Sequence, residues 1–170
     1  MDKRRKYINK IAQKVAEVKK PVAEYYAKKH KELKILEGLE GVEYMPTPFE
    51  VADFYKINYE FVEIKGDMPS YLKRDLKTIY ISNVYRQDSY QARLLCAHEL
   101  GHYFMQDVES AAMNDDILNA YLEEENIREY EANVFTILLM PQLMGGQEWE
   151  KYSPKILNRK IYRKALKEDS

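Results

Sequence analysis

Residues 94–106 read LLCAHELGHYFMQ and contain two of the three histidines of the chain. His98 and His102 are four positions apart, and Glu99 directly follows the first of them. On an α-helix, side chains at this spacing are neighbours, so both imidazole rings can reach one ion. Zinc accepts imidazole nitrogen, and this H-E-x-x-H spacing is typical of zinc peptidases. The alternative is an ordinary amphipathic helix with a partly buried histidine pair.

A second glutamate-rich segment could complete such a site, because a catalytic zinc usually has three protein ligands and one open position. This segment, IREYEANVFTILLMP, spans residues 127–141 and leads into an apolar run. Glu129 and Asn133 are one helical turn apart, so Glu129 can bind the ion and Asn133 can hydrogen-bond a ligand histidine. Glu131 lies about 200° around the helix from Glu129 and is the less favoured ligand. A plain charged helix face is the alternative for all three residues.

Glu99 occupies a different face of the first helix from the histidine pair, about 100° around the axis from His98. This placement disfavours Glu99 as a ligand and instead allows its carboxylate to reach a water molecule beside the ion. A carboxylate in that position can act first as general base and then as general acid. Glu99 is therefore the candidate catalytic residue.

The fold class follows from the elements around the two motifs. Asp88 or Ser89 can cap the first motif helix, and Pro141 ends the second. Thr47 and Pro48 predict the start of a short upstream helix. The predicted elements are helices from about 48 to 56, 90 to 105 and 122 to 140, and strands in the segments 59–64, 70–77 and 78–82. We predict an α+β fold with a small antiparallel sheet packed on the motif-bearing helices. The segment TIYIS (78–82) is either an exposed edge that binds an extended substrate or a core strand.

The N-terminal segment is basic and amphipathic. Ile8, Ile11, Val15 and Val18 recur at spacings of three and four, which predicts a helix. Pro21 suits the first turn of a helix, so we predict that a second helix begins there. Glycines near residue 40 favour a boundary between a basic helical arm, 1–40, and a second domain, 41–170.

The charge distribution is uneven although the net charge is −1. Residues 1–34 carry twelve basic and four acidic side chains, whereas 107–131 carry nine acidic side chains against one arginine. The acidic stretch joins the two motifs, so we expect it to rim the site and to attract a basic partner protein. The basic arm either covers this rim, contacts nucleic acid, or is a solvated charge cluster.

The chain has no apolar run near the roughly 20 residues that a membrane helix requires, and its charged start is unlike a secretory signal. Its single cysteine, Cys96, cannot form an internal disulfide and is expected to be a small buried helix residue. These features predict a cytoplasmic protein without a membrane partner.

The two motifs together resemble those of a known family. AHELGHYF (97–104) and E-x-x-A-N-x-F followed by LLMP (129–141) are similar to the ImmA/IrrE metallopeptidases, and the looser resemblance extends over about 44–141. This resemblance implies a zincin-like fold of the gluzincin type, with zinc held by His98, His102 and Glu129 and with Glu99 as the catalytic base. It also implies that the substrate is a helix-turn-helix repressor, cleaved during phage or mobile-element induction or a stress response.

Two other functions are compatible with the sequence. The first is a nucleic-acid-binding regulator with a vestigial or structural zinc site, which the basic arm favours because clustered lysines and arginines can neutralise phosphates. The second is a hydrolase acting on a non-peptide amide, which would use the same residues. The sequence alone does not distinguish the second from a peptidase.

Overall fold

The protein was analysed as a computed structural model that describes residues 3–37, 46–66, 68–106 and 124–140. These ranges contain the helices α1 (Lys3–Glu37), α2 (Pro48–Phe54), α3 (Tyr90–Met105) and α4 (Glu124–Leu139), and the strands β1 (Asn58–Val62), β2 (Ser70–Lys73) and β3 (Thr78–Ser82). None of these helices combines the length and the apolar character that crossing a membrane requires. The α+β class and the small sheet beside the motif-bearing helices are confirmed.

Two predictions fall on parts of the chain that the structure does not describe. The predicted boundary between an arm, 1–40, and a second domain, 41–170, lies within residues 38–45. Most of the acidic stretch, residues 107–123, is also outside the described ranges. The domain division and the acidic rim therefore stay predictions.

The sheet is mixed, so the prediction of an entirely antiparallel sheet was wrong. Its strand order is β1-β3-β2, with β2 antiparallel and β1 parallel to β3. Strand β3 is in the centre and is the most buried of the three, with Ile79 and Ile81 fully buried. Alternation and turn residues indicate where strands occur, but they do not give the order of neighbours. TIYIS is thus the central strand, and β2 is an edge.

Local capping interactions define where α2 and α3 begin. Thr47 and Glu50 form a capping box: the Thr47 hydroxyl accepts a hydrogen bond from the Glu50 backbone N–H at 3.2 Å, and the Glu50 carboxylate accepts one from the Thr47 N–H at 3.0 Å. Ser89, one of the two predicted caps, accepts a hydrogen bond from the Ala92 N–H at 3.1 Å. This cap starts α3 at Tyr90, so that His98 lies in the middle of the helix and His102 in its last turn.

Helix α1 is continuous from Lys3 to Glu37, so the prediction of a second helix starting at Pro21 was wrong. Proline inside a helix removes one backbone hydrogen bond and costs about 3 kcal/mol in an isolated helix. Here Val18 and Val22, on either side of Pro21, are both buried, and this packing maintains the helix across the proline. The Tyr55 hydroxyl also donates a hydrogen bond of 2.7 Å to the Val18 carbonyl.

The core forms where α3 packs between the sheet and α4. Helix α3 contacts β2 and β3 on one side and α4 on another, and α1 lies against α4. The apolar stripe of α1 belongs to this core, because Ile11 and Val22 are 0 % exposed. Helix α1 thus supports the helix that carries Glu129.

Candidate metal centre

The structure brings the two histidines of α3 together on one face. The Nε2 atoms of His98 and His102 are 3.1 Å apart, and the two rings meet edge to face. His98 is buried, whereas the His102 side chain is 16 % exposed. The pair therefore presents two nitrogen donors at the boundary between the core and solvent.

Glu129 of α4 faces both rings. Its Oε2 is 3.0 Å from Nε2 of His98, and its Oε1 is 3.0 Å from Nε2 of His102. The donor atoms of the three residues lie within 4.8 Å of one another, as a group that could hold a metal ion. Two ligands on a tetrahedral zinc with bonds of about 2.0–2.1 Å are about 3.3 Å apart. The two imidazoles and the carboxylate therefore fit zinc in type and in spacing.

Gly101 permits the close approach of α3 and α4 that this geometry needs. A Cβ atom at position 101 would lie 2.8 Å from the Cα and 2.9 Å from the carbonyl oxygen of Ala132, and 3.2 Å from the Cβ of Phe135. Two of these atoms are backbone and cannot rotate away. Any larger residue would push apart the helices that carry the histidines and Glu129.

The Gly101→Ala variant is expected to lose about 1–3 kcal/mol of unfolding free energy, the usual cost of overpacking a core. We expect its zinc affinity to fall as well, because Glu129 would move away from the histidine pair. Denaturant unfolding and titration with a zinc-chelating dye measure the two effects. The control is Gly66→Asn, at an open turn where glycine has a φ of 88° and asparagine tolerates that conformation. Wild-type stability in Gly101→Ala would contradict the close packing.

The electrostatics of the metal-free site favour an ion pair. Burial lowers the pKa of His98, but the hydrogen bond to Glu129 and the charges of Glu99 and Glu129 outweigh this effect and raise it overall. Burial raises the pKa of Glu129, but hydrogen bonds from His102 and His98 and their positive charges lower it overall. A metal ion at this group would compete with protons for the His98 ring nitrogen, so its affinity would fall at low pH.

Glu99 is outside the group that could hold a metal ion, and its carboxylate contacts β2. It is buried, and its Oε1 accepts a hydrogen bond of 2.9 Å from the Ser70 hydroxyl. Glu99, His102 and Glu129 nevertheless line one cleft of about 540 Å³ together with residues of the β2 region. The carboxylate of Glu99 is thus placed beside the candidate metal site without belonging to it.

Asn133 is fully buried on α4, one turn after Glu129. Neither its amide nitrogen nor its amide oxygen has a hydrogen-bond partner among the described residues, and the same is true of Nδ1 of His98. Asn133 is nonetheless close enough to contribute to the raised pKa of His98. A ring N–H can donate a hydrogen bond to an amide oxygen. Asn133 is therefore placed near the ring of His98, as predicted, but the predicted hydrogen bond between the two side chains is not formed.

Glu131, the less favoured ligand, lies outside the metal-binding group. It is 1 % exposed, and its Oε2 accepts a hydrogen bond of 3.2 Å from Arg128, which also donates to the Met105 carbonyl. Glu131 thus contributes to the contact between α4 and the end of α3 rather than to the site.

Cys96 is fully buried, as predicted. Burial, followed by the negative charges of Glu99 and Asp53, raises the pKa of its thiol well above the usual value. The thiolate is the reactive form of cysteine, so the burial of Cys96 and its raised pKa argue against a nucleophilic role.

Two residues of the cleft were missed by sequence reasoning. Ser70 contacts Glu99, and Arg74 donates a hydrogen bond of 3.1 Å to the backbone carbonyl of His102. Both belong to the β2 region, whose position against α3 depends on the strand order. A short strand with one serine carries no signal that would predict this contact.

A family model described as Peptidase_M78, IrrE N-terminal-like domain, matches residues 57–161. The match spans more than half of the chain and includes every candidate site residue, whereas α1 and α2 lie outside it. No curated protein and no solved structure matches the chain.

Proposed function

Because the chain belongs to the Peptidase_M78 family of IrrE N-terminal-like domains, we propose that it is a zinc-dependent endopeptidase that cleaves a helix-turn-helix repressor. The family supports a metallopeptidase-type function. The observation that carries the proposal is the convergence of His98, His102 and Glu129, with Glu99 beside them in the same cleft.

His98, His102 and Glu129 would hold the zinc ion. Zinc, when bound, supplies a Lewis acid that lowers the pKa of water towards about 7 and polarises the scissile carbonyl. The chain contributes two neutral imidazoles and one carboxylate, a donor set typical of catalytic rather than structural zinc.

Glu99 would transfer the proton. Its carboxylate accepts a proton from the attacking water and returns it to the nitrogen of the leaving amine, so that the carboxylate is regenerated after each turnover. The Glu99 side chain is buried but lines the cleft, so its carboxylate can reach a group bound there.

The substrate would bind along β2. Among the described strands, β2 pairs only with β3, and its residues line the cleft together with Glu99 and His102. An extended peptide can add to such an edge through backbone hydrogen bonds. Strand addition, first considered for TIYIS, is therefore assigned to Ser70–Lys73.

The charge pattern of the sequence supports a basic DNA-binding partner. Residues 107–131 run from the end of the first motif into the second and carry nine acidic side chains against one arginine. A concentration of negative charge attracts a positively charged protein and raises its association rate at low salt.

Co-expression of the chain with candidate helix-turn-helix repressors tests the proposal. We expect mass spectrometry to find a repressor fragment that forms with the wild type and is absent with Glu99→Gln. Intact repressors in both cultures, with a zinc-loaded wild type, would contradict the proposal.

The second candidate function, a nucleic-acid-binding regulator, is favoured by one observation. Helix α1 has exposed lysines along the face opposite its buried stripe, namely Lys6, Lys10, Lys20, Lys28 and Lys31. Salt-dependent binding of duplex DNA without proteolysis would favour this candidate.

A further inference from the structure

We propose that Ser70 is a positioning residue that holds Glu99 in its reactive orientation, an inference that rests on the proposed peptidase function. Its hydroxyl donates a hydrogen bond of 2.9 Å to Oε1 of Glu99, and both side chains are buried. The contact joins the edge strand β2 to helix α3 across 29 positions of sequence. It therefore depends on the tertiary fold and not on local geometry.

The sheet fixes the position of the Ser70 side chain. Ser70 pairs with Ile81 of the central strand, and the preceding carbonyl, of Pro69, accepts a hydrogen bond of 2.9 Å from the Ser82 N–H. Side chains of paired residues share one face of a sheet. Ser70 thus lies on the same face as Ile81, which is fully buried, and its hydroxyl has little freedom to point elsewhere.

The hydrogen bond from Ser70 gives the two carboxylate oxygens of Glu99 different roles. A serine hydroxyl carries one proton to donate, and here it goes to Oε1. Oε2 is then the oxygen that accepts the proton of the attacking water and passes it to the leaving nitrogen. A free glutamate side chain samples several rotamers, whereas proton transfer requires a well-defined geometry. Ser70 removes that freedom before the substrate arrives.

Steady-state kinetics on the best-cleaved member of a quenched-fluorescent peptide library test the inference. We expect Ser70→Ala to lower kcat by about 10- to 100-fold, the range that corresponds to a hydrogen bond to a charged group. KM should change by less than about threefold, because the Ser70 side chain acts on Glu99, whereas an added peptide strand would bind the backbone of β2. Ser70→Thr keeps the hydroxyl and should retain most of kcat.

Ser82→Ala is the matched control. Ser82 is a buried serine of the neighbouring strand, one position beyond the residue that pairs with Ser70 and therefore on the opposite face of the sheet. The kcat of the Ser82→Ala variant should equal that of the wild type. An equal loss in Ser70→Ala and Ser70→Thr would indicate packing alone and would overturn the inference, as would an unchanged kcat in Ser70→Ala.

A readout that does not depend on hydrolysis is the affinity of the zinc-loaded protein for acetohydroxamate, a small zinc-binding acid whose proton can be shared with Glu99. The Ser70→Ala substitution should weaken acetohydroxamate binding severalfold when Glu99 is present. It should have no further effect when it is combined with Glu99→Gln. Equal effects in both backgrounds would contradict a role through Glu99. A wild type that shows this coupling but cleaves no peptide would contradict the proposed function while supporting the placement of Glu99 by Ser70.

Discussion

The Glu99→Gln variant is expected to bind zinc as the wild type does and to hydrolyse peptides about 100- to 10,000-fold more slowly, the range for loss of a general base. The amide is nearly isosteric with the carboxylate but cannot accept the proton of the attacking water. Its carbonyl oxygen can still accept the hydrogen bond from Ser70, so the contact between β2 and α3 should remain. Peptide hydrolysis and bound zinc per chain, measured on the same preparation, separate catalysis from metal binding.

Retained cleavage by Glu99→Gln would remove Glu99 from the mechanism. Loss of both zinc and cleavage would instead indicate that Glu99 supports the site structurally. The buried position of Glu99, outside the group that can hold the metal, argues against the second result.

The Glu129→Gln variant is expected to bind zinc more than about 100-fold more weakly than the wild type. Outer partners of metal ligands are already worth about 10- to 100-fold in affinity, and Glu129 would be a direct ligand. The substitution removes the negative charge of the carboxylate whose two oxygens lie 3.0 Å from the two ring nitrogens. Competition with a chelating dye measures the change.

Glu131→Gln is the matched control for this experiment. Glu131 is two positions away on the same helix and is paired with Arg128 at 3.2 Å, outside the metal-binding group. We expect its zinc affinity to equal that of the wild type, whereas its stability should fall because a buried ion pair is broken. If Glu131→Gln lost zinc and Glu129→Gln retained it, the choice of ligand would be wrong.

The motif helices were predictable from sequence because their signals are local. Ser89 caps α3 and the histidine spacing places both rings on one face, so the start, the end and the functional face of this helix follow from consecutive residues. Glu129 could be preferred over Glu131 because helical periodicity puts it on the same face as Asn133. The close approach of α4 to α3 depends on the absence of a side chain at Gly101. This role can be inferred from the sequence once the two helices are assumed to pack together.

The features that the sequence did not reveal depend on tertiary contacts. The central position of β3 depends on how the three short strands pack against the helices. The residue pattern of a single strand does not give its position in the sheet. Pro21 remains inside α1 because Val18 and Val22 pack on either side of it, and this packing outweighs the local preference for a helix start. The contact between Ser70 and Glu99 requires this strand order, so the sequence alone did not predict the contact either.

The inaccessibility of Cys96 has a practical consequence for studying the cleft. It is the only cysteine of the chain and is 0 % exposed, so maleimide reagents should leave the native protein unlabelled. A cysteine introduced at Val84, which is 77 % exposed, would then be a unique attachment point for a fluorophore. Substrate and inhibitor binding could be followed optically without first removing a native thiol from the helix that carries the histidines.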